Sequence, residues 1–206
     1  MKVKVCGMRE AGNISRVAEL GIDYMGFIFH KLSPRNCLGK ISPELLSSLP
    51  SGVRPVAVTV DLGEEELSGI SERYGFRIFQ LHGTESPEVC AAMRNRGIKV
   101  IKALGITSED DLRKAEEYSG CVDLFLFDTA TSSHGGSGSK FNWKILEHYR
   151  LPEPFLLSGG IGPADAEAIR AFRHPFFAGI DLNSRFETFP GIKDPEAIRI
   201  FINNLV

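Results

Sequence analysis

No stretch of this sequence approaches the roughly 18 consecutive apolar residues of a membrane-spanning helix. The opening Met1 Lys2 Val3 Lys4 Val5 Cys6 Gly7 also lacks the apolar core of an export signal. A cytoplasmic protein with no membrane partner is expected. Cysteine is scarce: the four residues, at 6, 37, 90 and 121, form no Cys-x-x-Cys pair and have no histidine at zinc-site spacing. Neither a metal centre nor a disulfide framework is therefore expected, and the thiols should be reduced. Charge of one sign is missing too. The 24 basic and 26 acidic residues are interspersed and leave a net charge of -2, which argues against a nucleic-acid-binding or anionic-membrane surface.

What the chain does have is a regular alternation. Its 206 residues, 43% of them hydrophobic, suffice for one core and one domain spanning 1–206. Short apolar, β-branched or aromatic runs begin near Lys2, Asp23, Arg54, Phe76, Ile98, Cys121, Pro154 and Ala178, with helically spaced segments such as 13–20 and 164–172 between them. Pro43, Pro87, Pro163 and Pro195 stand where first-turn prolines belong. The strand starts recur at roughly 22 residues, the period of βα units with short connections. Eight such units predict an α/β fold, a closed parallel (β/α)8 TIM barrel; a doubly wound open sheet would give the same alternation.

Two intervals are about ten residues longer than the rest, and both place the excess in strand-to-helix loops, at 30–40 and 129–140. In such barrels the active site is built at the C-terminal ends of the strands. Phasing by bulky apolar residues turns Lys4 and Cys6 of the first strand inward, with Cys6 at the rim. The sixth strand ends in Asp128 and the eighth in Asp181, while Gln80 and His82 close the fourth on one phase. A polar residue closing an apolar strand is solvated, paired or functional. Five on one rim point to a site. Lys4 and Lys102 are expected inside the barrel, each against a carboxylate or the Gln80 amide, because an unpaired interior ammonium is too costly. The Gly159 Gly160 turn after the seventh strand and the Asn183 Ser184 turn after the eighth stand at the usual phosphate position of these barrels.

These blocks together resemble a known family. Lys-Val-Cys-Gly-Met at 4–8, Gln-Leu-His-Gly at 80–83, Phe-Asp-Thr at 127–129, Gly-Gly-Ser-Gly at 135–138, Phe-x-Trp at 141–143, Leu-Ser-Gly-Gly-Ile at 157–161 and Gly-Ile-Asp at 179–181 follow the order of the phosphoribosylanthranilate isomerases of tryptophan biosynthesis. The resemblance implies a cofactor-free Amadori rearrangement of N-(5'-phosphoribosyl)anthranilate to 1-(2-carboxyphenylamino)-1-deoxyribulose 5-phosphate. By this resemblance Cys6 is the general base and Asp128 the general acid. Arg35 pairs with the anthranilate carboxylate, Asp181 holds a ribose hydroxyl, and Gln80 and His82 contact substrate. Gly135, Gly136, Gly159, Gly160, Asn183 and Ser184 would hold the phosphate. The only partner implied is that phosphosugar-anthranilate substrate, bound by a monomer or homodimer.

The chain departs from the family pattern in three places. Asn36 Cys37 follow Arg35 in place of Tyr-Val, Asn142 replaces an Asp before Trp143, and the turn after Asp181 reads Asn183 Ser184 Arg185 Phe186 Glu187 without the usual glycine. Arg185 is a candidate for an added charge contact to phosphate. The histidine-pathway isomerase, on a related barrel, uses aspartates at the ends of strands one and five, where this chain has Cys6 and no carboxylate around 102–104. A phosphosugar-binding barrel without activity is the other alternative.

Overall fold

The computed structural model describes residues 1–129 and 142–205. Eight parallel strands close into a barrel in sequence order, with β8 returning to pair with β1. They are β1 (Lys2–Cys6), β2 (Tyr24–Ile28), β3 (Arg54–Thr59), β4 (Ile78–Leu81), β5 (Lys99–Ile106), β6 (Leu124–Thr129), β7 (Phe155–Leu157) and β8 (Phe177–Leu182). The open-sheet alternative is thereby excluded. Helices α1 (Ala11–Ala18), α2 (Pro43–Ser47), α3 (Glu64–Tyr74), α4 (Pro87–Asn95), α5 (Glu109–Arg113), α6 (Ala166–Ala171) and α7 (Pro195–Asn203) alternate with the strands. Pro43, Pro87 and Pro195 occupy first-turn positions of their helices, and Pro163 opens a 3-10 turn that leads into α6. No helix among the described residues is long and apolar enough to cross a membrane.

Two apolar layers follow from the period of two along each strand. Val3, Val5, Phe27, Phe79, Phe125, Phe127 and Ile180 pack outward against the helices, while Val56, Val58, Ile101, Ala103, Leu126 and Leu156 fill the interior with Cys6. The phases of β1, β4, β6 and β8 are those expected from sequence. That of β5 is not. Ile101 and Ala103 take the interior positions, so Lys102 lies on the helix-facing side. There it is 1% exposed and donates to Glu85 Oε2 (2.9 Å) and the Gly83 carbonyl (2.7 Å), above the Tyr118 ring. It meets a carboxylate, as expected, but from outside the barrel and without contacting Gln80.

A second difference is an antiparallel hairpin beyond β8, formed by β9 (Glu187–Phe189) and β10 (Ile192–Lys193) around Pro190 and Gly191. Gly191 is left-handed there at φ +84°, and its α-carbon lies so close to Arg9 that a Cβ would approach Nε to 2.6 Å.

The Lys102–Glu85 pair ties β5 to the loop that follows β4. Both oxygens of Glu85 also accept main-chain N–H groups, from Asp61 and Gly83. Lys102→Met should therefore destabilise the fold by about 3–5 kcal/mol in urea denaturation, since it leaves a buried carboxylate unpaired. Adding Glu85→Gln should recover part of that loss, because it removes the stranded charge and the amide oxygen keeps one of the two main-chain donors while the amide nitrogen loses the other. A single-variant cost under about 1 kcal/mol would deny the pair this role.

Candidate active site

Cys6 ends β1 on its interior phase and is 3% exposed. The space for its sulfur comes from β2: a Cβ on Gly26 would lie 2.7 Å from Sγ. One layer below, the fully buried Lys4 ammonium donates to Asp181 Oδ1 at 2.8 Å, across the β1–β8 seam where the two residues are register partners. The Ser158 hydroxyl donates to the other Asp181 oxygen at 3.3 Å. Burial pushes the Cys6 thiol above its ordinary value; the ammoniums of Lys4 and Lys193 pull it down, and Asp181 pushes it up. Burial opposes the Lys4 charge, but Asp181 and Cys6 outweigh it and hold the ammonium above its ordinary value.

Asp128 closes β6. Burial, assisted by the charge of Asp181, pushes its carboxyl up to about 6, while a hydrogen bond from the Thr129 N–H to Oδ1 (2.8 Å) and the Lys4 charge pull the other way. His82 approaches from β4, with Nε2 3.7 Å from Asp128 Oδ2. The Gln80 amide nitrogen lies 3.0 Å from His82 Nδ1. With the amide donating, the imidazole carries its proton on Nε2, facing the carboxylate. The structure thus brings Gln80, His82 and Asp128 together on one side of the mouth, and Cys6, Lys4, Asp181 and Ser158 on the other.

The loop after β7 packs directly on Asp128. Gly159 has φ +85°, and a Cβ there would come within 2.3 Å of Thr129 Oγ1 and 3.0 Å of Asp128 Oδ1. Gly160 is also left-handed, at φ +64°. Gly135 and Gly136 lie outside the described residues.

Arg35 rises from the β2–α2 loop over Gly7, where a Cβ would meet its Cδ at 2.8 Å and Asn183 Oδ1 at 3.1 Å. Its guanidinium is engaged by Glu187, with Nε donating to both carboxylate oxygens (2.9 and 3.1 Å) and Nη2 to Oε2 (2.7 Å). Asn183 precedes the 3-10 turn Ser184–Phe186, and its Oδ1 accepts from Lys193 Nζ at 2.6 Å. Sequence reading missed Ser158, Glu187 and Lys193. Ser158 shares the interior phase of Leu156 and could have been found by phasing β7. Glu187 and Lys193 lie in a charged, non-periodic segment that reads as surface. Asn142, one of the departures, accepts from the Lys144 N–H and so caps the following turn as an Asp would. Cys37 and Cys90 are buried thiols pushed up to about 12 and about 11, chiefly by burial, which makes them poor nucleophiles. Among the described residues no three His, Cys, Asp or Glu side chains are grouped so as to hold a metal ion.

The family model described as N-(5'phosphoribosyl)anthranilate (PRA) isomerase matches residues 3–204. N-(5'-phosphoribosyl)anthranilate isomerase of Parabacteroides distasonis is 46% identical, the match covering 100% of this chain and 94% of that one. The crystal structure of phosphoribosyl anthranilate isomerase from Thermotoga maritima superposes with a TM-score of 0.85 at 33% identity, over 100% of this chain and 98% of that one. A crystal structure of a phosphoribosyl anthranilate isomerase in complex with reduced 1-(o-carboxyphenylamino)-1-deoxyribulose 5-phosphate superposes with a TM-score of 0.82 at 31% identity, over 100% and 98% of the two chains.

The environment of Asp128 has a cost that depends on pH. Below about pH 4 the carboxyl is protonated in folded and unfolded chains alike; between about 4 and 6 the folded chain retains a proton the unfolded chain releases, so stability falls as pH rises, and above about 6 the penalty is complete. Asp128→Asn keeps the acceptor for Thr129 and removes the charge. The variant should be more stable than the parent by about 2–3 kcal/mol at pH 8 and nearly equal to it at pH 4, by urea denaturation at the two pH values. An equal gain at both would contradict the burial of a charged group here.

Proposed function

The chain belongs to the N-(5'-phosphoribosyl)anthranilate isomerase family, and on that premise we infer that it converts N-(5'-phosphoribosyl)anthranilate to 1-(2-carboxyphenylamino)-1-deoxyribulose 5-phosphate with Asp128 as general acid and Cys6 as general base. The observation that carries this reading is the pairing of a carboxyl pushed up to about 6 with a lysine-flanked thiol, at strand ends on one barrel rim. Protonated Asp128 gives its proton to the furanose ring oxygen as the C1'–O bond breaks, and the nitrogen lone pair forms the C1'=N bond of a Schiff base. The Cys6 thiolate then takes the C2' proton, the released electron pair forms the C1'=C2' bond and neutralises the iminium nitrogen, and the enolamine tautomerises to the ketone.

The required states are thiolate and carboxylic acid, yet near neutral pH the free pair favours thiol and carboxylate. The two forms hold the same single proton and differ only in where it sits. Lys4 and Lys193 favour the thiolate, and burial with Asp181 favours protonated Asp128, but burial and Asp181 also raise the thiol, so the reactive form is the minor one-proton state. Arg35 takes the anthranilate carboxylate, Asp181 a ribose hydroxyl, and Gln80 and His82 the substrate on the acid side. The turns at Gly159–Gly160 and Asn183–Ser184 receive the phosphate, with Gly135 and Gly136 assigned to the same group. Gly159 also lets the loop approach Asp128 closely.

Turnover of N-(5'-phosphoribosyl)anthranilate by the purified protein, with complementation of tryptophan and histidine auxotrophs, tests the activity. Asp128→Asn and Cys6→Ser should each lower kcat about a hundredfold or more while still binding the reduced product. A near-normal kcat in Cys6→Ser would remove the base. Because the one-proton state of the pair is lost when Asp128 and Cys6 are both protonated, kcat/KM of the parent should fall on the acid side of about pH 6. It should stay level up to the thiol range; a profile flat down to pH 4.5 would contradict the coupled pair.

A further inference from the structure

Glu187 is a buried charge that the proton-transfer chemistry above does not use, and Lys193 enters that chemistry only through its field at Cys6. They face each other across the β9–β10 hairpin. The Lys193 ammonium, 0% exposed, donates to Glu187 Oε1 and Asn183 Oδ1, both at 2.6 Å. The Gly191 N–H adds a third hydrogen bond to the same Glu187 oxygen, at 3.0 Å. The side chain of Asn13 grips Lys193 at both main-chain groups, accepting from its N–H and donating to its carbonyl, each at 2.8 Å. Glu187 is therefore a carboxylate whose position is set from below. Its upper partner is Arg35, 12% exposed against 4% for Glu187.

A guanidinium can engage carboxylates along two edges, the side edge of Nε and Nη2 and the end edge of Nη1 and Nη2. Glu187 occupies the side edge. Among the described residues Nη1 has no hydrogen-bond partner. The stem has little freedom either, since it lies against Gly7 where not even a Cβ would fit. The charges point the same way: two cations share one anion, so the cluster of Arg35, Glu187 and Lys193 carries one unit of positive charge that a ligand anion would neutralise.

We propose that Glu187, itself held by Lys193, is a positioning residue for substrate: it fixes the side edge of Arg35 so that the end edge meets the carboxylate of the anthranilate ring. The proposal rests on the assignment of Arg35 to that carboxylate. Glu187 touches no reacting atom and acts on affinity for one substituent, through Arg35 alone.

The test uses two stable ligands, the reduced product and the same compound without its ring carboxylate, titrated calorimetrically into the parent, Arg35→Ala, Glu187→Gln and the double variant. In the parent the carboxylate should confer a clear preference, which Arg35→Ala abolishes. Glu187→Gln should shrink that preference about tenfold while binding of the carboxylate-free ligand stays within about twofold, and KM should rise more than kcat falls. On the Arg35→Ala background Glu187→Gln should cause no further loss of preference. Glu187→Asp, which keeps the charge and retracts it, should give an intermediate loss and serves if the glutamine variant folds poorly. Retained preference in Glu187→Gln beside its loss in Arg35→Ala overturns the proposal and leaves the Arg35 assignment standing. Equal weakening of both ligands overturns it in favour of a role in the Asn183 turn. Retained preference in Arg35→Ala removes the Arg35 assignment and the proposal with it.

Discussion

The ion pair between Lys4 and Asp181 sits on the seam where β8 closes the barrel onto β1, and the chemistry of the mouth depends on it. A buried pair of this kind is weak evidence for stability, because removing both ions from water costs about as much as their attraction returns. Its effect lies in the field it sets up. The ammonium faces the Cys6 sulfur and favours thiolate; the carboxylate raises Asp128 and favours the acid. Each end favours one form that the proposed reaction requires and opposes the other, since Asp181 also raises the thiol and Lys4 also lowers the carboxyl. A neutral hydrophobic pair could fill the same volume and leave the barrel closed, but the thiolate would lose Lys4 and protonated Asp128 would lose Asp181.

Much of this was legible in the sequence, for a definite reason. Interior positions of a barrel strand alternate, so a lysine at position 4 and an aspartate at 181, each flanked by outward-facing apolar residues, can be phased with no knowledge of their partners. The same logic places Asp128, Gln80 and Cys6. It failed at Lys102, where Ile101 and Ala103 are as apolar as the residues of an outward face and the alternation carries no sign. Only the register, which sets Ile101 beside inward-facing Gln80, decides it. The hairpin after β8 was illegible because its strands, of three and two residues, are too short for any period to show. Glu187 and Lys193 were lost with it: a charge in a non-periodic segment reads as solvated unless the chain on the far side of the molecule is known.

Gly159 shows how a glycine expected at one ligand can answer to a different neighbour. Glycines near a phosphate turn are expected to admit the ligand to the backbone. Here the Cβ of any other residue at 159 would collide with Thr129 and crowd Asp128, so this glycine also lets the β7 loop lie against Asp128. The burial that pushes Asp128 up to about 6 is partly the work of this loop, and the requirement for glycine at this position comes from Thr129 and Asp128.

The turn after Asp181 raises the opposite question, since it lacks the glycine usual in the family. A glycine is needed where φ is positive or where a Cβ would collide. Among the described residues only Asp61 has positive φ without being a glycine, so Asn183, Ser184 and Arg185 all lie on the side of φ that ordinary residues favour. Asn183 is then held by Lys193 through its side chain. Arg185 rests against Gly162 of the neighbouring loop, where an added Cβ would lie an ordinary 3.5 Å from its own. Room around the turn comes from glycines in neighbouring segments. Gly7 gives room to Asn183 and Arg35, and Gly191 to the hairpin that delivers Lys193. Asn183 brings a side-chain contact to this turn through its hydrogen bond with Lys193. Through Lys193 and Glu187, the turn at Asn183 is thereby tied to Arg35.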